Sequence, residues 1–389
     1  MNRPGPTRRT VLAALSLAAG LGALSVAPPD ARGQDKDQPK AKKGPVQKGW
    51  SEVVGAGVEY LKRAQAEDGT WSKASHPGVT AVVLTGLFRS GKVAADDPAA
   101  AKALKHVEAM VDAKDGHIAA GENIRHKFYT TSVNLQALKA SGVKKYDPAA
   151  AAAVKYLKDG QVGGADNKPA DDPNYGGFGY GPGARGDMSN THFVLDALVA
   201  AGEPKDGPVF RRTLVFVGRC QNLKGEFNTL PWADKINDGS FVYLPGTGPN
   251  AAADAPRPGY GSMTYAGLKC LVWCGVSPED PRRKKAMEWV AKNYSVDLNP
   301  GRAEGAGGQG YFYYLVSMAR CLDALGVDEV TDAAGKAHDW RADITRALTL
   351  RQREDGGWGN DTRQWMEGDS NLDAGYALIA LSYTKPRGK

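Results

Sequence analysis

The stretches SNTHFVLDALVAAG at residues 189–202 and SMTYAGLKCLVWCG at residues 262–275 are two copies of one helical motif. Each begins with a small polar residue, continues as a mostly apolar helix and ends on glycine, which adopts the left-handed conformation that stops a helix. The motif occurs six times, ending on glycine in five copies, and successive copies end 51 to 73 residues apart. The other copies cover residues 80–91, 130–142, 313–326 and 370–383. A repeat over most of the chain predicts one large domain of stacked helical units.

A second amphipathic helix precedes each copy of the motif. In the first unit it covers residues 51–66, with Val54, Val58 and Leu61 on one stripe. The corresponding helices are predicted at residues 101–111, 149–158, 211–220, 283–293 and 341–352. The serines that open three motif copies are predicted to cap them, since a hydroxyl accepts from exposed helix amides; these are Ser189, Ser262 and Ser370. The pattern predicts an all-α fold.

Two turns between the paired helices are nearly identical although they are far apart in the chain. They read QAEDGTW at residues 65–71 and QREDGGW at residues 352–358, with a weaker copy at residues 221–227 and a degraded one at residues 174–178. Glutamine closes a helix, glycine turns the chain and an aromatic ring packs against the next helix. We interpret these turns as structural connections between neighbouring units.

These turns resemble the glutamine–tryptophan motifs of the squalene-cyclase and protein-prenyltransferase repeat superfamily. The resemblance covers residues 51–385 and implies an (α/α)6 toroid, in which six outer helices surround six inner helices and a central cavity. It also implies where chemistry would lie: an Asp-rich DxDD acid segment in the cyclases, and an Asp-x-Cys pair with a histidine on zinc in the prenyltransferases. Neither motif occurs in the chain. The closest acidic segments are Asp171-Asp172 and residues 369–373.

The N-terminus has the pattern of an export signal. Arg8-Arg9 precedes an apolar run over residues 11–27, and Ala31-Arg32-Gly33 resembles a cleavage site. We expect residues 1–33 to be a signal of the twin-arginine type, with the general secretory route as the alternative, and residues 34–50 to be a charged linker. The apolar run is short for a stable membrane span. The mature protein is therefore predicted to be exported, periplasmic or extracellular, and without a membrane span.

Composition argues against several classes of partner. The chain has 389 residues and a net charge of +7, but no basic stripe interleaved with aromatic residues, so we expect no nucleic-acid binding. Its four cysteines lack disulfide-framework spacing and are interpreted as packing residues. The histidines show no ligand spacing, so no metal and no cofactor are predicted. The sequence leaves the oligomeric state open.

Aligning the six motif copies predicts the wall of the cavity. Positions thirteen, ten and six before the end of each copy lie on one helical face, and this face is mostly polar, whereas leucines occupy the opposite face. The candidate ligand-binding residues are Tyr129, Tyr265, Lys269, Tyr313, Arg320 and Asp369. The candidate catalytic residues are Asp373, His192 and Asp196. Such a lining predicts a wetter cavity than a hydrocarbon substrate would require. Trp232 and Trp365, in long loops, either rim its mouth or pack against the ring.

Two interpretations remain open for the charged candidates. Asp196, Lys269 and Arg320 are either a working site or a buried ionic cluster in which the charges neutralise one another. His192 and Asp373 are either an acid–base pair at the cavity mouth or a polar lining residue and a helix-first-turn aspartate.

Three functions are compatible with this sequence. The first is a ligand-binding or scaffold protein that holds an unknown ligand in the central cavity. The second is an extracytoplasmic enzyme that acts on a polar substrate such as a carbohydrate through cavity carboxylates. The third is a divergent terpenoid cyclase that uses Asp369 or Asp373 as its acid.

Overall fold

The computed structural model describes residues 48–72, 76, 78–119, 126–226, 228–230, 232–245 and 257–386. The predicted export signal at residues 1–33 and the linker up to residue 47 lie outside the described residues. Trp50, which the sequence assigned to the linker, begins the first helix.

The described chain is built from alternating outer and inner helices. The outer helices are α1 (Trp50–Ala64), α3 (Pro98–Ala109), α5 (Asp147–Asp159), α7 (Pro208–Arg219), α10 (Pro281–Lys292) and α12 (Trp340–Arg351). The inner helices are α2 (Val79–Arg89), α4 (Lys127–Ser141), α6 (Met188–Ala200), α9 (Gly261–Trp273), α11 (Tyr311–Leu325) and α13 (Ser370–Ser382). A short helix α8 (Ala233–Ile236) and an antiparallel hairpin of β1 (Glu329–Thr331) and β2 (Ala337–Asp339) lie in the connections.

The inner helices form a closed ring. Each packs against the next along the chain, from α2 through α4, α6, α9 and α11 to α13, and α13 packs in turn against α2. The outer helices lie against inner ones, and α1 packs on α13, so the first and last units meet at a seam. The predicted (α/α)6 toroid is confirmed. No helix in the described ranges is long and apolar enough to span a membrane.

The leucine face of the inner helices lies between the two layers, as predicted. Leu84, Leu135, Leu195 and Leu268 are fully buried. The glycines that end five of the motif copies all adopt positive φ angles, between 68° and 85°. The periodicity therefore identified both the core face and the ends of the inner helices.

The prediction of serine caps was wrong. Asp187 caps α6 by accepting from the amide of Asn190, and Asp369 caps α13 by accepting from the amides of Asn371 and Leu372. In both helices the carboxylate precedes the predicted cap, and a carboxylate accepts more strongly than a hydroxyl at a helix N-terminus. At α9 the amide of Ser262 donates to the Asn299 side chain, which lies in the loop after α10.

The glutamine of each turn connects consecutive outer helices. Gln65 Nε2 donates to the carbonyl of Ala99 in α3 at 2.8 Å, and Gln352 Nε2 donates to the carbonyl of Val53 in α1 at 2.8 Å. The second of these bonds joins the two ends of the ring. The indoles of Trp71 and Trp358 each donate to the preceding helix at 2.8 Å.

The weaker copies of this turn are built differently from the sequence interpretation. Gln161, which sequence reasoning missed, makes the same contact with Val209 at 2.9 Å, and Phe178 supplies the ring. For the turn after Gln221 the buried ring is Phe241, whose amide donates to Thr264 as that of Trp71 donates to Thr80. The predicted Phe227 lies outside the described residues.

The glycine of these turns is required by close backbone packing. Gly69 has φ +84°, and a Cβ there would lie 2.8 Å from the carbonyl oxygen of Lys102 in the next outer helix. Gly116, Gly239 and Gly356 have similar angles and face the next outer helix in the same way. The turn therefore sets the distance between neighbouring outer helices.

Candidate functional site

The interior of the ring is divided by an apolar waist halfway along the inner helices. Only a void of about 10 Å³ remains there, between side chains that include Val82, Val133, Phe193, Val316 and Ile379. The upper cavity, at the N-terminal ends of the inner helices, has a volume of about 280 Å³. The lower cavity, at their C-terminal ends, has a volume of about 380 Å³. The central cavity predicted from sequence is thus two separate spaces.

The wall of the upper cavity is mainly aromatic. Six tyrosines, one tryptophan and one phenylalanine line it, namely Tyr129, Tyr180, Tyr243, Tyr260, Tyr313, Tyr376, Trp365 and Phe193. Met263, Met366 and Leu372 add further apolar surface. None of the described residues that line the upper cavity carries a carboxylate. The wall is suited to apolar surface, because flat rings offer large contact areas with few polar atoms.

The mouth of the upper cavity is held by an unusual backbone segment. Trp365 and Met366 have φ angles of +59° and +67°, which side chains with a Cβ rarely adopt. Trp365 is 55% exposed, and the Arg302 guanidinium lies 5.8 Å from its ring and 3.8 Å from that of Tyr260. Such backbone conformations cost free energy and cluster at ligand-binding segments. The segment therefore keeps a large aromatic surface at the opening.

One acid lies directly behind the aromatic wall. Asp187 is buried, accepts from the Asn190 side chain at 2.7 Å and also accepts from the Tyr243 hydroxyl. Burial raises the pKa of Asp187 to about 6, although the hydrogen bonds from Asn190 and Tyr243 act in the opposite direction. Asn190 and Tyr243 both line the upper cavity, so their side chains connect this acid to it.

A chain of hydrogen bonds crosses the level of the waist. Asp196 Oδ2 is 2.6 Å from Lys269 Nζ and 2.6 Å from Arg320 Nη1. Lys269 Nζ is 3.1 Å from His192 Nδ1, and His192 Nε2 is 2.5 Å from the Tyr313 hydroxyl. Asp196 and Arg320 line the lower cavity and Tyr313 lines the upper one. The chain therefore joins the two cavities through protein.

Burial and charge determine the protonation states in this chain. Burial alone would raise the pKa of Asp196, but the charges of Lys269 and Arg320 outweigh it and hold that pKa well below its usual value. Burial, together with the charge of Lys269, lowers the pKa of His192 to about 4. At neutral pH the chain holds an ionised Asp196 and a neutral imidazole.

Asp373 belongs to a separate acidic cluster behind the ring. Its Oδ2 accepts from the amide of Asn360 at 3.0 Å, and its Oδ1 is buried without a partner among the described residues. Glu367 accepts from the amides of Phe312 and Tyr313 at the start of α11. Burial and the nearby charge of Glu367 raise the pKa of Asp373 to about 9. Burial raises the pKa of Glu367 as well, against the hydrogen bonds from these amides. Asp373 is protonated at neutral pH.

The predicted catalytic residues are not brought together as one set. His192 and Asp196 are neighbours, with 3.8 Å between Nδ1 and Oδ2. The polar neighbours of Asp373 are instead Asn360, Glu367 and Asp369. Opposite units of the ring thus hold His192 and Asp373 against different partners, with the waist between their helices.

Three of the six predicted ligand-binding residues line a cavity and three do not. Tyr129 and Tyr313 line the upper cavity, and Arg320 lines the lower one. Lys269 is fully buried in the hydrogen-bonded chain, and Asp369 caps α13 and accepts from Ser72 at 2.8 Å. Tyr265 is not on a cavity wall: it is 1% exposed and packs against Tyr314, with 5.8 Å between ring centroids.

The expectation of a wet cavity is correct only for the lower space. Three cationic and two acidic side chains line the lower cavity, namely Arg89, Lys139, Arg320, Asp196 and Asp323. The upper cavity is aromatic because connecting loops supply much of its wall, including Tyr180, Tyr243, Tyr260 and Trp365. These loops lie outside the aligned motif, so the repeat alone had no signal for Tyr243, Arg302 or Asp187. Trp365 rims the mouth, whereas Trp232 is buried.

One group of possible metal ligands occurs among the described residues. Asp112, Asp115 and His117 offer ligand atoms within 4.8 Å of one another at a turn after α3. Asp112 Oδ1 already accepts from the amides of Lys114 and Asp115, as in a turn stabilised by its own aspartate. The cysteines Cys220, Cys270, Cys274 and Cys321 are all free.

Known proteins agree with this architecture. Type II terpene cyclase MstE from Scytonema superposes with a TM-score of 0.53 at 15% identity, over 86% of this chain and 97% of that one. Its R337A variant in complex with geranylgeranyl dihydroxybenzoate gives 0.54 at 15% identity, with the same coverage. The GH76A α-1,6-mannanase from Salegentibacter sp. HEL1_6 gives 0.56 at 11% identity, over 87% and 99% of the two chains. At such identities these likenesses establish the fold alone.

Sequence comparison assigns the family. No curated protein matches the chain significantly. The profile of the squalene-hopene cyclase C-terminal domain matches residues 129–377, which is more than half of the chain. These residues span the ring from α4 to α13 and include most of the wall of the upper cavity. The chain therefore belongs to the squalene-hopene cyclase C-terminal domain family.

Proposed function

We propose that this protein binds an apolar ligand in the upper cavity and is a ligand-binding member of its family. The observation that carries the proposal is the aromatic wall, which has no carboxylate among its described residues. Burying apolar surface against such a wall contributes about 25 cal/mol per Å². A molecule with an extended apolar part and few polar atoms fits this wall best.

The positions of the acids support binding rather than catalysis. Asp196 is neutralised by Lys269 and Arg320 on the far side of the waist. Asp373 lies behind the wall against Asn360 and Glu367. Groups that act on a substrate must reach within hydrogen-bond distance of its reacting atoms.

Two of the structurally similar proteins have ligands or substrates of contrasting polarity. One is bound to geranylgeranyl dihydroxybenzoate, an apolar chain with a polar ring, and the other is an α-1,6-mannanase. A sugar needs hydrogen bonds on several sides, whereas most of the surface of the upper cavity is apolar. The first ligand type is therefore the better guide to this chain.

An enzyme remains the second candidate function because of Asp187. Its raised pKa and its hydrogen bond from Tyr243 are what an acid that works through a tyrosine at the wall would need. This assignment replaces Asp369 and Asp373 as the acid, because none of the three lines the cavity but Asp187 accepts hydrogen bonds from Asn190 and Tyr243, which do. If the protein is an enzyme, mass spectrometry after incubation of the protein with its ligand should show a product of a different mass.

We also propose that the mature protein is exported. The support is the sequence of residues 1–33, where two arginines precede the apolar run. Cell fractionation with N-terminal sequencing of the recovered protein tests this proposal. Recovery of unprocessed protein in the cytoplasm would contradict it.

Replacement of the mouth tryptophan tests the binding proposal. Trp365→Ala removes exposed aromatic surface from the mouth, so we expect about tenfold weaker binding of an apolar fluorescent probe. Leu350→Ala is the matched control, because Leu350 is 71% exposed and does not line the cavity. Native mass spectrometry of the wild-type protein should show a co-purified apolar molecule that is lost with Trp365→Ala. Equal binding by both variants would contradict the proposal.

A further inference from the structure

The hydrogen-bonded chain across the waist ends on two hydroxyls in the upper cavity. The Tyr313 hydroxyl oxygen lies 2.5 Å from His192 Nε2 and 3.3 Å from Ser189 Oγ. Tyr313 and Ser189 both line the upper cavity and are partly exposed to it. His192 is buried behind them. The direction of the hydrogen bonds in this chain decides what the two hydroxyls offer to a ligand.

Lys269 fixes the tautomer of His192. Its ammonium group has only donors and lies 3.1 Å from His192 Nδ1, so Nδ1 must accept. A neutral imidazole that accepts at Nδ1 carries its hydrogen on Nε2. His192 Nε2 therefore donates to the Tyr313 oxygen, and Tyr313 keeps its own hydrogen for another partner.

A count of the hydroxyl hydrogens shows whether the site donates or accepts a hydrogen bond. Tyr313 and Ser189 together have two hydroxyl hydrogens and share one hydrogen bond. Because His192 supplies its own hydrogen, one hydroxyl hydrogen is left over, whichever of the two residues carries it. Both side chains line the upper cavity and are partly exposed to it, so this hydrogen is available to a ligand there.

We infer that Tyr313 and Ser189 form a hydrogen-bond donor site for a neutral oxygen acceptor of the ligand, with His192 and Lys269 as positioning residues. The ligand class is an apolar molecule that carries a carbonyl or ether oxygen. An anionic group is disfavoured at this point, since Lys269 and Arg320 are both bound to Asp196. The inference rests on the proposed binding function and adds the polar contact to it.

Two probes of the same shape separate this contact from apolar binding. The ketone 2-acetylnaphthalene and the alkene 2-isopropenylnaphthalene differ only in an oxygen in place of a methylene group. One net hydrogen bond corresponds to about three- to tenfold tighter binding of the ketone. We expect that preference in the wild-type protein, measured by calorimetric titration of both probes.

Lys269→Met tests the positioning role while every hydroxyl stays in place. Without the ammonium group His192 can carry its hydrogen on Nδ1, so that Nε2 accepts the hydrogen of Tyr313 and no hydroxyl hydrogen is left over. The ketone preference should disappear and alkene binding should remain. Nitrogen-15 NMR of the imidazole should show the change of tautomer, which a purely structural role of Lys269 would not produce.

Further variants keep the test decisive if Lys269→Met fails to fold. The double variant Ser189→Ala/Tyr313→Phe should lose the preference, and Ser189→Ala alone should keep it. Tyr129→Phe is the control, because Tyr129 lines the same cavity and its hydroxyl contacts Tyr376 instead. Equal affinity of both probes for the wild-type protein would overturn the donor site and leave the binding proposal standing. If neither probe binds, both the donor site and the binding proposal are overturned.

Discussion

At the level of single residues, two buried acids in the sixth unit differ in the hydrogen bonds that they accept. Glu367 accepts from amides at the start of α11, and these hydrogen bonds offset part of the rise in its pKa that burial causes. Among the described residues, Asp373 accepts one amide hydrogen bond, and its Oδ1 has no partner. The segment therefore opposes a charge on Asp373 more strongly than one on Glu367.

Asp373→Asn should stabilise the protein increasingly as the pH rises. The pKa of Asp373 is about 9 in the folded state and about 3.9 in an unfolded chain, so the folded state holds its proton more tightly. Wild-type stability from this group is therefore lost as the pH rises from about 4 to about 9. The variant lacks this loss, and its advantage should grow by about 1.4 kcal/mol per pH unit in that range.

Urea unfolding of the wild-type protein and the Asp373→Asn variant at pH 5 and pH 8 measures this difference. The amide can still accept from the amide of Asn360, so the comparison isolates the proton. A difference in the free energy of unfolding that is the same at both pH values would contradict a protonated Asp373.

At the level of elements, glycine is favoured at two positions of the repeat for different reasons. Gly91 ends α2 with φ +70° and open space around it. Gly69 has φ +84°, and the backbone of α3 lies where its Cβ would be. Both positions favour glycine by conformation, but only the second also requires it by packing.

Gly69→Ala should cost more stability than Gly91→Ala. At Gly91 alanine meets only the left-handed conformation, at about 1 to 2 kcal/mol. At Gly69 the methyl group also displaces the backbone near Lys102, which adds about 1 to 3 kcal/mol of overpacking. Thermal and urea unfolding of the two variants provides the comparison, and equal losses would show that the outer helices have room to separate.

The elements were largely predictable from the sequence, whereas the site was only partly so. Inner-helix ends and the leucine face follow from local periodicity, which one sequence displays directly. Tyr129 and Tyr313, from the row thirteen positions before each end, line the upper cavity, and Arg320, from the row six positions before, lines the lower one. Tyr265 shows the limit, because the rotation of each inner helix about its axis depends on packing with its neighbours.

Residues from loops could not be placed by this reasoning. Tyr243 and Arg302 reach the upper cavity from connections that differ in length between units, so the alignment of copies gives no position for them. The division into two cavities also depends on the sizes of opposing side chains such as Phe193 and Val82, which meet only after the ring closes.

For the whole molecule, closure of the ring makes the first and last units equivalent to any other neighbouring pair. Trp50 Nε1 donates to the carbonyl of Leu381 at 3.0 Å, and Gln352 donates to Val53 across the seam. Lys48 and Lys385 line the same surface groove. The two ends of the ring are thus close enough for a short linker.

A circular permutant should therefore fold and bind as the wild-type protein does. We would join Lys385 to Gly49 by a flexible linker of about six residues and open the chain between Pro278 and Glu279, which are exposed. Free energies of unfolding within about 2 kcal/mol of wild type and unchanged probe binding are expected. A permutant that is helical but molten would show that the order of synthesis matters.

The seam also has a consequence for biosynthesis. The faces of α1 and α2 that pack against α13 have no partner until Ser370–Ser382 has been synthesised, about 280 residues after α2. The earliest helices made must wait for the last one, with apolar surface exposed in the meantime. This protein is therefore a candidate for chaperone protection until its last inner helix has been synthesised.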